Sequence, residues 1–254
     1  MKVLVDNCII SLSDTMQGAF KEQNLAWGES SQCIRIAGYV RKKLPSKDQA
    51  WKRDQIECLP TIGKIAREQR IALYTYDEII FEGWKRSGSF PSNHLGNIFS
   101  GVDFNHVDAA IERSYFFQSG FCEYLKKDEV INFCKWLLTP NIESLADKLA
   151  PTKRYPEPLL KNLRRVQRFR DLCSGLSEKQ YPDAFHLWSA EINGMDLFLT
   201  TDGKFIRALT QTKKLGLPCM PLSPSQLLEQ FGITEREPFE YEEGLFYDFF
   251  GNPS

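Results

Sequence analysis

Tyr181-Pro182-Asp183-Ala184-Phe185-His186-Leu187-Trp188-Ser189-Ala190-Glu191-Ile192-Asn193-Gly194-Met195-Asp196-Leu197-Phe198-Leu199-Thr200-Thr201-Asp202 carries the strongest structural signal in the chain. It opens as a helix over 182–192 with an acid in its first turn, breaks at a Gly turn, and continues as a short apolar strand over 196–200. A second acid, Asp202, stands just past the strand's end. The chain begins in a similar way: Lys2-Val3-Leu4-Val5 is an apolar run suited to a central strand, and Asp6 is its exit. Acids at strand ends and helix starts converge outside the carboxyl edge of a parallel sheet, where open α/β folds bind ligands. Clustered carboxylates repel one another unless a cation lies between them. Hard carboxylate oxygens suit Mg²⁺ or Mn²⁺, so the pattern predicts a site for one of those ions.

Working outward, Ile71-Ala72-Leu73-Tyr74-Thr75-Tyr76 reads as a second strand, followed by a helix that carries Glu78 and Glu82 and is capped by Asp77. Leu217-Pro218-Cys219-Met220 reads as a last short strand, and Ser223-Pro224 opens a final capped helix. Between Asp6 and the second strand the pattern predicts a polar loop to about residue 30, then helices over 31–44 and 48–69. Residues 83–105 read as irregular, and 107–118, 121–138, 141–150 and 157–173 as helical, with Pro140, Pro151 and Pro156 between segments. A further helix is expected over 203–213. The organisation predicted is an α/β domain over 1–233 with an enlarged helical insertion at about 84–177, and a tail over 234–254.

At this point the chain resembles the PIN domain, a family of metal-dependent nucleases. Val3-Leu4-Val5-Asp6-Asn7-Cys8-Ile9-Ile10 looks like the family's first strand and acid, and Tyr76-Asp77-Glu78-Ile79-Ile80-Phe81-Glu82 like its second strand and second acid. Asp183-Ala184-Phe185-His186-Leu187-Trp188-Ser189-Ala190 is similar to its third-acid helix, and Thr200-Thr201-Asp202-Gly203-Lys204-Phe205 to its Thr-x-Asp turn. Leu217 to Pro224 with Leu227-Leu228 fits its last strand and helix. The resemblance covers about 1–10, 71–83 and 178–231, under half of the chain.

It implies a three-layer α/β fold with a central parallel sheet. It also implies a Mg²⁺ or Mn²⁺ site made by Asp6, Glu82, Asp183 and Asp202, with Asn7 and Thr200 supporting, and hydrolysis of RNA phosphodiesters. A toxin or defence role with an antitoxin or other protein partner belongs to the same expectation. Two departures stand out: Asn7 and Cys8 replace a small hydroxyl and an Asn after the first acid, and the spacings between acids are wide.

Each acid has its own physical reading. Asp6 is a direct ligand at a strand's end, and Asp183 gains from the positive end of its helix. Asp202 follows a strand facing the same crevice, and Glu82 reaches in from one turn along its helix. Singly, Asp183 also reads as a helix-start charge and Asp202 as a turn former. Asp77 and Glu78 are neighbours that could replace Glu82, although Asp77 suits a cap and Glu78 points elsewhere. Asp196 reads as structural; His186, one turn after Asp183 on the same helix, reads either as a residue near the site or as a packed histidine, and the packed reading is preferred. His94 and His106 lack the spacing of a zinc site.

Composition bounds the rest. The 254 residues are 42% apolar and 26% charged, ordinary for a globular chain. Seven scattered cysteines without CxxC spacing read as reduced thiols. With no long apolar run and an acid as early as Asp6, the expectation is a cytoplasmic protein without a membrane span. The net charge of −1 hides an asymmetry: six acids and one base make 234–254 −5, while 31 bases and 27 acids make the body +4. Lys161, Arg164, Arg165 and Arg168 recur on one predicted helix as candidate RNA phosphate contacts. Arg41, Lys42, Lys43, Lys47, Lys52 and Arg53 form a second basic group around the link between two predicted helices, and it too is a candidate phosphate grip; for either group the alternative is a solvated helix face. The tail carries six aromatics among its acids, and is expected to dock on the body rather than stay solvated. Subunit association is open.

The reading is therefore a Mg²⁺/Mn²⁺-dependent endoribonuclease. Its rival is a PIN-like module that binds RNA or protein without cutting. A metal-dependent phosphatase is disfavoured, because Asp6-Asn7-Cys8 lacks the Asp-x-Asp of aspartyl-phosphate enzymes.

Overall fold

The computed structural model describes residues 1–27, 30–84, 97–118, 120–211, 215–239, 242–248 and 251–253. In chain order its strands are β1 (Lys2–Val5), β2 (Met16–Trp27), β3 (Ser30–Arg41), β4 (Ala72–Thr75), β5 (Phe104–His106), β6 (Leu197–Leu199), β7 (Met220–Leu222) and β8 (Phe246–Tyr247). Its helices are α1 (Asn7–Ser13), α2 (Ala50–Arg67), α3 (Asp77–Trp84), α4 (Phe121–Tyr124), α5 (Lys127–Leu137), α6 (Glu143–Leu149), α7 (Glu157–Arg164), α8 (Gln167–Cys173), α9 (Tyr181–Ile192), α10 (Gly203–Thr210) and α11 (Pro224–Gln230).

Five strands form a parallel sheet in the order β5-β4-β1-β6-β7. Successive side chains of a strand point to opposite faces, and the apolar strands use both. Leu4 and Phe198 enter one core with Phe133, Phe169, Phe185 and Trp188. Val3, Val5, Leu197 and Leu199 enter the other, with Ile62 of α2 and Leu227 of α11. The sheet is thus covered by helices on both faces, a three-layer α/β arrangement. Pro221 is tolerated inside β7 because β7 is an edge strand. No helix among the described residues is long and apolar enough to cross a membrane.

Several local expectations give way. The polar loop expected up to residue 30 holds α1 and β2, and the helix expected over 31–44 is β3. Ile34, Ala37 and Val40 fit a helical spacing, but Ile34, Ile36, Gly38 and Val40 alternate with period two. Pairing along the full length of β2, from Met16↔Arg41 to Trp27↔Ser30, decides the outcome. The helix expected over 107–118 is absent; the chain there is irregular, with one 3-10 turn at Arg113–Tyr115. Just before it, in a stretch read as irregular, β5 extends the sheet, so the insertion is not purely helical. The helix expected over 157–173 breaks between Arg164 and Gln167 into α7 and α8, and 121–138 divides into α4 and α5. The last sheet strand lies at Met220–Leu222, later than the expected 217–220.

The tail docks on the body. β8 pairs with β3 through Tyr39↔Tyr247 and Val40↔Phe246, and Phe246 is buried. A Cβ on Gly38 would collide with the Tyr247 carbonyl and the Phe246 ring, so glycine permits this approach. Arg236 pairs with Asp54 at 2.7 Å, Glu237 with Lys64 at 2.6 Å, and Glu243 accepts the Leu44 amide at 3.0 Å.

Candidate metal centre

The sheet order sets the position of the site. From β1 the chain crosses to β4 on one side, and β6 later lies on the other, so the carboxyl ends of β1 and β6 flank the switch in strand direction of travel. Such a point leaves a crevice above the sheet. Asp6 follows β1 there, and Thr200, Thr201 and Asp202 follow β6.

Asp6 is buried and held on one oxygen. Its Oδ2 accepts hydrogen bonds from Thr200 Oγ1 at 2.7 Å and Cys8 Sγ at 2.8 Å. Its Oδ1 accepts none from the described residues. The Thr200 hydroxyl also accepts the Asp202 amide at 3.2 Å, so one side chain ties both acid-bearing loops together. Cys8 accepts the Thr201 amide at 3.2 Å. Burial, and then the Asp6 charge, push the Cys8 thiol well up, which keeps it a donor.

Glu82 and His186 come in from the helices on either side. His186 is buried, with Nδ1 2.6 Å from the Tyr76 hydroxyl and Nε2 3.4 Å from Glu82 Oε1. Burial alone would lower its pKa; the Glu82 hydrogen bond and the charges of Glu82, Asp6 and Asp183 outweigh that and raise it to about 9. One ligand atom each from Asp6, Glu82 and His186 lie within 4.8 Å of one another, a set that could hold a metal ion. Donors around one small octahedral ion, at bonds of ~2.1 Å, are separated by roughly 3–4 Å, so only a small contraction is required.

Asp183 reports the company it keeps. Burial first, then the charges of Asp6, Asp202 and Glu82, raise its carboxyl to about 8, with His186 acting in the opposite sense. Asp6, Glu82 and Asp202 thus all act on Asp183, but of the four acids expected as ligands only Asp6 and Glu82 fall in the group at ligand distance, with His186 in the place expected for Asp183 or Asp202. Asp202 also caps α10, its Oδ1 accepting the amides of Lys204 and Phe205 at 2.9 Å each. The structural and the site readings of this residue both apply.

The neighbouring acids are engaged elsewhere. Glu78 is buried against Arg113 at 2.9 and 3.0 Å, and Tyr124 donates to it at 3.2 Å. Asp77 meets His106 at 2.9 Å, and Asp196 accepts the Lys2 amide at 2.6 Å. Asn7 is buried beside Asp6 with its Nδ2 unpartnered, while its Oδ1 accepts the Ser11 hydroxyl at 3.4 Å. A buried donor without a partner next to a carboxylate cluster suits an anionic oxygen of a ligand. A cavity of about 690 Å³ adjoins α3, walled by Glu78, Phe81, Tyr115, Phe117 and Tyr124, and none of the four acids lines it.

The expected RNA-contacting helix is a different matter. Arg168 donates to both oxygens of Glu191 at 2.6 and 2.7 Å and to the carbonyls of Leu215 and Gly216. Glu191 lies at the far end of α9 from Asp183, ~12 Å along the helix axis, so Arg168 is not on the rim of the acid centre. Arg164 pairs with Asp147 at 3.0 Å and Glu157 at 3.4 Å. Lys161 and Arg165 are exposed. His94 lies outside the described residues.

Cys8 and Tyr76 are site residues without a role in the sequence expectation, and His186, expected to be a packed histidine, is both packed and part of the site. For His186 the signal was present: it follows Asp183 by three positions, so the two share a helix face. Cys8 and Tyr76 gave none beyond adjacency to Asp6 and Asp77.

No family model, no curated protein and no solved structure matches this chain. Fold and site alone define its class: an α/β protein with a carboxylate-rich centre, which includes one buried histidine, at the carboxyl edge of a parallel sheet.

Proposed function

We propose that this protein is a PIN-like, Mg²⁺- or Mn²⁺-dependent endoribonuclease. The observation that carries the reading is Asp183, raised to about 8 by burial and by three further carboxylates at the sheet's switch point. Such a cluster is electrostatically costly unless a cation completes it.

Asp6 through Oδ1, Glu82, and His186 through Nε2 are the residues that would hold the ion, with His186 releasing to solvent the Nε2 proton that the metal-free cluster retains. A bound divalent ion supplies a water of lowered pKa and takes up negative charge on a phosphodiester. Tyr76 holds Nδ1 of His186 and fixes the ring, as partners of ligating histidines commonly do. An imidazole among carboxylates favours Mn²⁺ over Mg²⁺. In the metal-free cluster the Asp183 carboxyl is raised to about 8; a bound cation would lower it again and leave Asp183 as a carboxylate acceptor beside the ion. Asn7 Nδ2 has no partner among the described residues, and it would have to be uncovered before a phosphate oxygen could accept from it. A toxin or defence role, and a partner that restrains it, are part of this proposal on the strength of the sequence resemblance.

Incubating total RNA with the protein in Mn²⁺, Mg²⁺ or EDTA tests it. Cleavage is expected with either ion, more with Mn²⁺, and none in EDTA or with Asp6→Asn. Intact RNA throughout, or equal cleavage by Asp6→Asn, would overturn the proposal.

A further inference from the structure

An acid centre repels the polyanion it is meant to cut, so cations and stacking surfaces must hold the substrate. The basic helix pair α7–α8 does not offer them beside the acids. A different surface does. Trp51, in the first turn of α2, is 49% exposed. Its ring lies against Gly203, the residue immediately after Asp202: a Cβ there would be 3.6 and 3.7 Å from Trp51 Cζ2 and Cη2. The same point is 3.5 Å from Arg207 Nη1, one turn further along α10. An indole and a guanidinium thus flank the backbone next to a centre acid.

The charges around this indole are unspent. Arg207, Lys204, Lys52 and Lys43 are all exposed and make no ion pair with any described residue. Their neighbours Lys42 and Arg53 are tied to Asp14 and Glu57. Lys43 and Lys52 border a hollow of about 120 Å³ together with Ser11 and Leu12 of α1, the helix that starts at Asn7 beside Asp6. Cations without an ion pair among the described residues thus stand both beside the Asp202 loop and at α1.

We propose that Trp51 and Arg207 form a nucleotide subsite beside the acid centre. The base of one unpaired ribonucleotide stacks on the indole, and Arg207 holds its phosphate, with Lys52 and Lys43 taking the phosphates beyond. The proposal rests on the nuclease reading and adds where the chain of RNA lies. A base can offer its face to Trp51 only when it is out of a duplex stack.

The test is anisotropy binding of short fluorescein-labelled oligouridine to the full chain in EDTA, where hydrolysis stops. Base–aromatic stacking predicts that Trp51→Ala weakens binding roughly 5- to 150-fold, and that Trp51→Phe restores most of it. Arg207→Ala should lower the slope of log affinity against log salt by ~0.7. One abasic position should weaken binding to wild type, and add nothing to Trp51→Ala. A purely structural Trp51 would not produce that non-additivity. Wild-type binding by Trp51→Ala, or additive abasic effects, would overturn the subsite and leave the surface to a protein partner. If wild type still cleaves RNA in that event, only the subsite falls. If wild type neither binds nor cuts RNA, the nuclease reading falls with it.

Discussion

Two basic surfaces of this protein look alike in the sequence and differ in the fold. On α7 and α8, Arg164 and Arg168 are consumed by Asp147, Glu157 and Glu191 and by two backbone carbonyls. Around the start of α2 and α10, Lys43, Lys52, Lys204 and Arg207 make no ion pair with any described residue, and Lys204 and Arg207 lie on the helix that Asp202 caps. The first surface holds helices together; the second is available to an anion. Counting cations cannot separate these cases, because what matters is which acids the fold brings opposite them. Arg113 is the extreme of the first kind: 1% exposed, stacked over Tyr124 at 3.5 Å and paired with Glu78.

This contrast can be broken by substitution. The largest effect is expected at Arg113→Ala, which leaves the Glu78 carboxylate buried and unpaired at a cost of about 3–5 kcal/mol. Its melting temperature should fall by roughly 6–20 °C in a calorimetric scan. Arg168→Ala removes charged hydrogen bonds worth about 2 kcal/mol and should lower melting by roughly 4–8 °C, with the salt slope of RNA binding unchanged. A changed slope would place Arg168 on the RNA path after all.

The acid centre gives a pH signature. Asp183 is raised from 3.8 to about 8, so its stabilising contribution is full below about 4 and is lost as pH rises through 8. His186 is raised from 6.5 to about 9, so its contribution is full below about 6.5 and is lost as pH rises through 9. Melting of the metal-free protein should therefore decline across this window, and Asp183→Asn should flatten the decline. Mn²⁺ should restore stability at the alkaline end, because it binds the deprotonated donors. An equally steep decline in Asp183→Asn would remove Asp183 from the cluster. The smallest effect is expected from Lys161→Ala with Arg165→Ala. As exposed residues outside the proposed RNA subsite, they should change stability by no more than about 0.5 kcal/mol and RNA binding not at all.

The parts that were legible in the sequence are those where local pattern and tertiary demand agree. Val3-Leu4-Val5 and Leu197-Phe198-Leu199 are apolar on both faces because both faces are covered by helices. Their exits, Asp6 and Asp202, could be placed from the strands alone. The β2–β3 ribbon was not legible, because Ile34 and Val40 satisfy two periods and only the partner strand selects one. The strand β5 is three residues long and gains its identity from pairing with β4. Glu82 was separated from Glu78 only by Arg113, which lies 35 positions further along the chain. His186 was visible as a buried residue; its place beside Glu82 required α3 and α9 to be set side by side.

The central claim is that a divalent ion is bound where β1 and β6 end. Anomalous scattering from crystals soaked in Mn²⁺ tests it most directly. One strong peak is expected at ~2.2 Å from Asp6 Oδ1, a Glu82 oxygen and His186 Nε2, and it should be lost in Asp6→Asn. Soaked crystals with no peak among these residues, or with manganese held by other side chains, would contradict it.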